Sequence, residues 1–322
     1  MKIIFMGTPD FAVPCLDALI NNGYEVVGIV TQPDKPSGRK QSQLKAPPVK
    51  EAAIQHGIIT ILQPVKVRTP EFLSAIKELE PDLIVTAAYG RILTKAVLDV
   101  PRLGCINVHG SLLPKYRGAA PIQWALINGD SVTGVTTMFM DEGMDTGDIL
   151  LQRKLDITAD MNCQELYNEL MKLGAEALLE TLHALEMGTL KRTPQDHAKA
   201  VNVPMMKKEM GLIDWNKSAD EIHNLVRGTN PWPGAYTLHK GERLKVWKTS
   251  LLGECPVNSH EAVLNDMANE AMPGKVLKIF KDSIIVATGN GCLRVYELQF
   301  ESCRRMGVCE CGHNMDEGEV LG

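Results

Sequence analysis

Cys105-Ile106-Asn107-Val108-His109-Gly110-Ser111-Leu112-Leu113-Pro114 is the stretch on which the reading of this chain turns. Cys105, Ile106 and Val108 suit a short buried strand, and the Gly-Ser-Leu-Leu-Pro turn that follows cannot continue it. Asn107 and His109 lie two apart, so an extended backbone points both side chains to one face. An imidazole moves a proton near neutral pH, and a neutral amide donates to a developing oxyanion. Such a strand end is either a catalytic edge or a capped terminus whose polar groups bond to the turn. The ten residues alone leave both readings open.

Working outward, the first half alternates strand and helix patterns. Lys2 to Met6, Val26 to Thr31, Leu83 to Ala88 and Cys105 to His109 read as strands. Helical stretches run from the Gly7-Thr8-Pro9-Asp10 turn to about Asn21, around Pro70 to Leu79 and from Thr94 to Leu98. This alternation implies α/β architecture with a doubly wound, Rossmann-like parallel sheet, whose ligands sit beyond the carboxyl ends of the strands. Only Gly7 stands where a dinucleotide fingerprint needs three glycines, so NAD binding is not supported. After a helix from Ala120 to Asn128 comes a β-rich run, Val132 to Met140. The loop Asp141-Glu142-Gly143-Met144-Asp145-Thr146-Gly147-Asp148 carries two glycines and four acids but lacks calcium-loop spacing. A strand (Ile149 to Leu155) and a long helix (Cys163 to Met187) close this domain.

From Lys191 to Lys208 the chain is less regular and basic, with Lys191, Arg192, Lys199, Lys207 and Lys208 against Asp196. Beyond it come one helix, Ser218 to Arg227, and short strands at Arg243 to Trp247, Gly274 to Phe280, Ser283 to Thr288 and Cys292 to Leu298. Short strands separated by glycine turns point to a small C-terminal OB-like β-barrel domain. The expected division is a catalytic domain over 1–189, a basic linker over 190–206 and a C-terminal domain over 207–322.

A chain of 322 residues has room for two cores, and 44% hydrophobic with 23% charged residues is ordinary globular composition. Apolar runs such as Leu83-Ile84-Val85 are too short to span a bilayer, and Pro9-Asp10 interrupts the N-terminal run before a signal core forms. Eight scattered cysteines fit a reducing cytoplasm. A net charge of −5 argues against coating nucleic acid by bulk electrostatics, though local patches can still bind it.

Taken together, several motifs resemble the methionyl-tRNA formyltransferase family, within the wider 10-formyltetrahydrofolate-dependent formyltransferases. They are Phe5-Met6-Gly7-Thr8-Pro9-Asp10-Phe11, Thr31-Gln32-Pro33-Asp34-Lys35-Pro36, Ala88-Tyr89-Gly90, Asn107 to Pro114, Tyr116-Arg117-Gly118-Ala119-Ala120-Pro121-Ile122-Gln123, Asp145-Thr146-Gly147-Asp148, Ile213-Asp214-Trp215 and Asn230-Pro231-Trp232-Pro233. They occur in the family's order over nearly the whole chain. The resemblance implies that Asn107, His109 and Asp145 form the catalytic group for moving a formyl group from 10-formyltetrahydrofolate to the methionine amine of initiator tRNA, without a metal. Asp145 beside His109 would favour the imidazolium. The resemblance also implies a folate slot from Tyr89, Gly90, Leu93 and Met140, lined by Ser111, Leu112, Leu113 and Pro114. Tyr89 and Leu93 equally suit an ordinary core.

The basic segment Asp34 to Lys50 carries Lys35, Arg39, Lys40, Lys45 and Lys50 against one acid, and in the family this loop enters the tRNA acceptor end. Lys35, Arg39, Lys40, Lys45, Lys207 and Lys208 are the expected tRNA contacts, made to phosphates. From Lys207 onward acids slightly outnumber bases, so a tRNA face there must be one-sided. One departure is Cys303, Cys309, Cys311 and His313, where the family has a cysteine-free helical stretch. Their residue types suit zinc but their spacing lacks a Cys-x2-Cys knuckle, and surface thiols are the expectation. A cytoplasmic monomer is expected. The rivals are a formyltransferase for a small amine, a folate hydrolase and a non-catalytic tRNA-binding protein.

Overall fold

A computed structural model describes residues 1–37, 43–252, 267–268 and 270–322. The chain divides into two compact units. One is Met1–Pro121, Val132–Asp156 and Tyr167–Pro204, and the other is Ile122–Ser131, Ile157–Leu166 and Met205–Gly322.

In the first unit the elements run β1 (Lys2–Gly7), α1 (Val13–Asn21), β2 (Glu25–Val30), the antiparallel pair β3 (Lys35–Ser37) and β4 (Gln43–Lys45), α2 (Pro48–Gln55), β5 (Ile61–Leu62) and α3 (Pro70–Glu78). They continue with β6 (Leu83–Ala87), α4 (Lys95–Leu98), β7 (Cys105–His109), β8 (Arg117–Gly118), α5 (Pro121–Ile127, mostly in the second unit), β9 (Val132–Phe139), β10 (Ile149–Asp156), α6 (Cys163–Glu186) and β11 (Asn202–Val203). A seven-stranded sheet has the order β10-β9-β7-β6-β1-β2-β5. Its β7-β6-β1-β2-β5 core is parallel, and β9 and β10 add antiparallel strands.

The apolar sequence explains this sheet. Ile3, Ile4, Phe5 and Met6 of β1 and Leu83, Ile84 and Val85 of β6 are all fully buried, as parallel strands covered on both faces must be. Each such side chain contributes about 1.5–3 kcal/mol of burial. Ile4, Met6 and Ile84 pack with Phe72 and Ile76 of α3, and with Tyr89, Leu93 and Val97. α3 starts sharply because Thr69 accepts from the Phe72 amide and Pro70 occupies the first helical position. The chain leaves β1 toward β2 and β5 on one side, then returns to β6 on the other. The strand order therefore reverses between β1 and β6, where Gly7 pairs with Ala87, and sheets of this kind bind ligands at that point.

In the second unit α7 (Ala219–Thr229) precedes β12 (Ala235–His239), β13 (Glu242–Leu251), β14 (Val276–Ile279), β15 (Ile284–Ala287), β16 (Cys292–Gln299), β17 (Met306–Gly307) and α8 (Val308–Cys311). The strands form an antiparallel sheet ordered β12-β13-β16-β15-β14, with β17 on β16, so the expected C-terminal β domain is present. Alternation places Leu244 and Val246 of β13 and Leu293 and Val295 of β16 in the core with Ile222 and Val226 of α7. A capping box between Ser218 and Glu221 fixes the start of α7. No helix among the described residues is long and apolar enough to cross a membrane.

Candidate active site

The strand end at Asn107-Val108-His109 is shaped by its neighbours. Val108 faces α6 so closely that a Cβ on Gly174 would lie 3.1 Å from Val108 Cγ1. Asn107 and His109 therefore share the opposite face, as their spacing requires. In the ladders, Asn107 stands between Thr86 of β6 and Met138 of β9, and His109 is opposite Thr136. Thr86 donates to Asn107 Oδ1 at 2.7 Å, which leaves the Asn107 Nδ2 hydrogens for another acceptor.

His109 is only 6% exposed. Its Nε2 lies 2.9 Å from the Tyr116 carbonyl, and its Nδ1 lies 3.7 Å from Asp145 Oδ1. Both ring nitrogens face oxygen acceptors. Ser111 Oγ donates to the Lys115 carbonyl at 2.6 Å and so closes the turn that brings Tyr116 back under the imidazole.

Asp145 reaches the imidazole from the loop between β9 and β10. Its Oδ2 accepts from the Gly118 amide at 2.9 Å. Gly118 has φ +113°, and a Cβ there would sit 2.4 Å from the Val203 carbonyl oxygen of the adjoining β11, so only glycine brings this amide into place. Gln195, 6% exposed, donates to the carbonyls of Asp145 and Gly147 at 2.9 and 2.7 Å. It also accepts from Arg117 Nε and Nη2 at 3.1 and 2.7 Å, and Arg117 Nη2 lies 3.1 Å from His197 Nδ1. Three non-glycine residues here, Ala88, Tyr116 and Asp145, are left-handed, with φ of 44°, 61° and 54°. Each such residue costs of order 1–3 kcal/mol, which the surrounding bonds must offset.

The expected slot residues fall into two groups. Tyr89 and Leu93 are buried in the hydrophobic cluster, with Met140 packed against it, and burial pushes the Tyr89 phenol up to about 12. Gly90 and Ala88 are exposed, so main chain is what this segment presents. The Tyr89 carbonyl already accepts from Thr8 Oγ1 at 3.2 Å and Gln32 Nε2 at 3.1 Å. Leu112 and Pro114 are half-buried, whereas Ser111 and Leu113 are buried. Leu113 is held by its amide on Thr136 Oγ1 at 3.1 Å and its carbonyl on Gln152 Nε2 at 2.9 Å.

Among the expected tRNA contacts, Lys35, Lys45, Lys207 and Lys208 are exposed. Arg39 and Lys40 lie outside the described residues. Lys50, counted in the same basic run, is engaged instead. Its Nζ is 2.9 and 2.7 Å from the Asp34 oxygens and 2.9 Å from Gln63 Oε1. Bonds from Gln63 and Lys50 hold the Asp34 carboxyl below its ordinary range.

Within the less regular stretch Lys191 to Lys208, Thr193 and Ile149 exchange backbone bonds at 2.8 and 2.9 Å and β11 pairs with β8. One expectation needs correction. Of the cysteines expected at the surface, Cys303 and Cys309 are exposed, but Cys311 is buried in the second core and donates to the Gly307 carbonyl. Among the described residues no three His, Cys, Asp or Glu side chains gather as a metal site, so the weak zinc set Cys303, Cys309, Cys311 and His313 is not assembled. The reading of single residues missed Thr86, Arg117 and Gln195. Arg117 stood in a quoted motif, whereas Gln195 had no local pattern to mark it.

Comparison with known proteins follows this geometry. The formyl transferase family matches residues 1–182, and the formyl transferase C-terminal domain matches 205–313. Methionyl-tRNA formyltransferases of Acetivibrio thermocellus and Clostridioides difficile are 56% and 49% identical, each covering 100% of both chains. Among solved structures, the sugar 3N-formyl transferase WlaRD, with dTDP and 5-N-formyl-THF, has a TM-score of 0.67 at 20% identity, covering 94% of this chain and 99% of its own. HypX from Aquifex aeolicus in complex with tetrahydrofolic acid has a TM-score of 0.62 at 17% identity, covering 100% of this chain and 50% of its own. Both likenesses are likenesses of fold.

Proposed function

The chain belongs to the methionyl-tRNA formyltransferase family and transfers a formyl group to methionyl-tRNA; from that premise we propose that 10-formyltetrahydrofolate is the donor, initiator methionyl-tRNA the acceptor, and Asn107, His109 and Asp145 the catalytic group. The observation that carries this reading is the His109 ring, held through Nε2 by the Tyr116 carbonyl with Nδ1 turned to Asp145.

The methionyl amine attacks the formyl carbon, a C–N bond forms, and the carbonyl electron pair moves onto oxygen. Asn107 Nδ2 donates to that oxygen, its Oδ1 being held by Thr86. The attacking amine loses a proton toward Asp145, and the Nδ1 edge of His109 delivers one to N10 of the folate. The bond from carbon to N10 then breaks, leaving formylmethionyl-tRNA and tetrahydrofolate. The attacking amine is itself a good nucleophile, so no covalent enzyme intermediate is needed.

The exposed backbone of Ala88 and Gly90, backed by buried Tyr89, Leu93 and half-buried Met140, fits a flat ring met by main-chain groups. Leu112 and Pro114 would complete the slot, with Ser111 and Leu113 shaping it from behind. Lys35, Arg39, Lys40, Lys45, Lys207 and Lys208 would hold tRNA phosphates. The chain would work as a cytoplasmic monomer, with its catalytic domain over 1–189, a linker over 190–206 and a tRNA-binding domain over 207–322.

An acceptor series tests this reading: initiator methionyl-tRNA, elongator methionyl-tRNA and a nucleotide-linked amino sugar, each supplied with 10-formyltetrahydrofolate. Formylation of the initiator tRNA in strong preference to both others supports it. Preferred formylation of the sugar, or formate release without any acceptor, contradicts it.

A further inference from the structure

We infer that Gln195 is the positioning residue that holds Asp145 in its working geometry, an inference that rests on the reading of Asp145 as catalytic. A primary amide has two acceptor lone pairs and two donor hydrogens. Gln195 uses all four: Oε1 accepts from Nε and Nη2 of Arg117, and Nε2 donates to the carbonyls of Asp145 and Gly147.

The two carbonyls belong to the part of the loop that most needs holding. Asp145 has φ 54°, a conformation that persists in a non-glycine residue only when its surroundings enforce it. Two residues on, a Cβ at Gly147 would lie 1.9 Å from the Phe139 carbonyl oxygen, so the loop passes its neighbouring strand at closest approach. Gln195 grips the chain at both places.

The same side chain also reaches the carboxylate indirectly. Asp145 Oδ2 is bonded to the Gly118 amide, Gly118 follows Arg117, and Arg117 is held by Gln195 Oε1. These links form a closed ring: carboxylate, Gly118, Arg117, Gln195 and the Asp145 carbonyl. The ring fixes main chain and carboxylate together and leaves Oδ1 facing His109 Nδ1 at 3.7 Å. Gln195 is itself fixed, because Thr193 exchanges two backbone bonds with Ile149.

Gln195→Glu tests this by keeping the shape and the Arg117 partner while setting an acceptor against the two carbonyls. The expected result is a fall in kcat of about 100-fold, the usual cost of misplacing a reacting group by about 1 Å. KM for both substrates should stay within about twofold of the parent, a split that general loss of structure would not give. In an Asp145→Asn background the same change should lower kcat no further, since the two act as one unit. Unchanged kcat in Gln195→Glu, or a further drop in the Asp145→Asn background, overturns the inference while leaving the catalytic assignment standing. Full activity of Asp145→Asn alone overturns that assignment instead. Should Gln195→Glu fail to fold, Gln195→Asn, one methylene too short to span Arg117 and the loop, carries the same comparison.

Discussion

Thr86→Val removes one hydroxyl and keeps the outline of the side chain. Thr86 is 2% exposed and donates to Asn107 Oδ1 at 2.7 Å, with the Ile106 carbonyl at 3.4 Å and Met140 Sδ at 3.3 Å as longer alternatives. This bond distinguishes the two orientations of the Asn107 amide. With Oδ1 against Thr86, Nδ2 is free to donate; with the amide reversed, an oxygen would face the developing oxyanion. A neutral hydrogen bond of this kind contributes about 1 kcal/mol, so its loss should cost about that much stability. It should also lower kcat about tenfold, which corresponds to about 1.4 kcal/mol in the transition state. The upper bound is the roughly 100- to 1,000-fold cost of deleting an oxyanion donor, to be measured in Asn107→Ala. The assay is turnover at saturating donor and charged initiator tRNA, paired with thermal melts, and Thr86→Ser should restore activity. Parent-like turnover in Thr86→Val would refute the orienting role. So would an equal further loss when Thr86→Val is added to Asn107→Ala.

The second unit should show a pH response centred on His223, whose Nδ1 lies 2.9 Å from Thr249 Oγ1 and whose Nε2 lies 3.1 Å from the Ala159 carbonyl. Burial, then the Arg227 charge, lowers its pKa from the ordinary 6.5. Above about 6.5 both folded and unfolded forms are neutral and its contribution is complete. As pH falls below that value the unfolded chain takes up a proton that the folded chain resists, so stability declines until the lowered pKa is passed. His223→Gln should flatten the melting midpoint between pH 7 and 5, and an unchanged slope would contradict the assignment. In the first unit, Lys50→Met should loosen the Asp34 and Gln63 cluster at the base of the basic loop, raising KM for tRNA several-fold at constant KM for folate. Arg39→Ala with Lys40→Ala should act on tRNA far more than on folate, and equal losses on both substrates would sink the loop's role.

The legible part of the fold was the part made by apolar periodicity. Runs such as Ile3 to Met6 and Leu83 to Ala87 are buried on both faces and read directly as strands of a parallel sheet. The pair β3 and β4 and the helix α2 were missed, because Asp34 to Lys50 is charged and broken by Pro36, Pro47 and Pro48. β12 was missed because five residues, Ala235–His239, give too short a pattern after a proline-rich turn. At the site, Asn107 and His109 were visible because their two-residue spacing is local. Gln195 was not, because its partners are main-chain carbonyls near 145 and a guanidinium at 117, brought together only by folding. Thr86 was hidden for the same reason, since only the ladder register sets it beside Asn107.

The central claim is that His109, between the Tyr116 carbonyl and Asp145, moves the proton in formyl transfer. Its most direct test is the single-turnover rate of His109→Ala with 10-formyltetrahydrofolate and initiator methionyl-tRNA both saturating, alongside binding of each substrate and a thermal melt. A fall of about 100- to 10,000-fold, the range for losing a general acid–base, with binding and melting intact is the predicted result. Turnover close to that of the parent protein would contradict it.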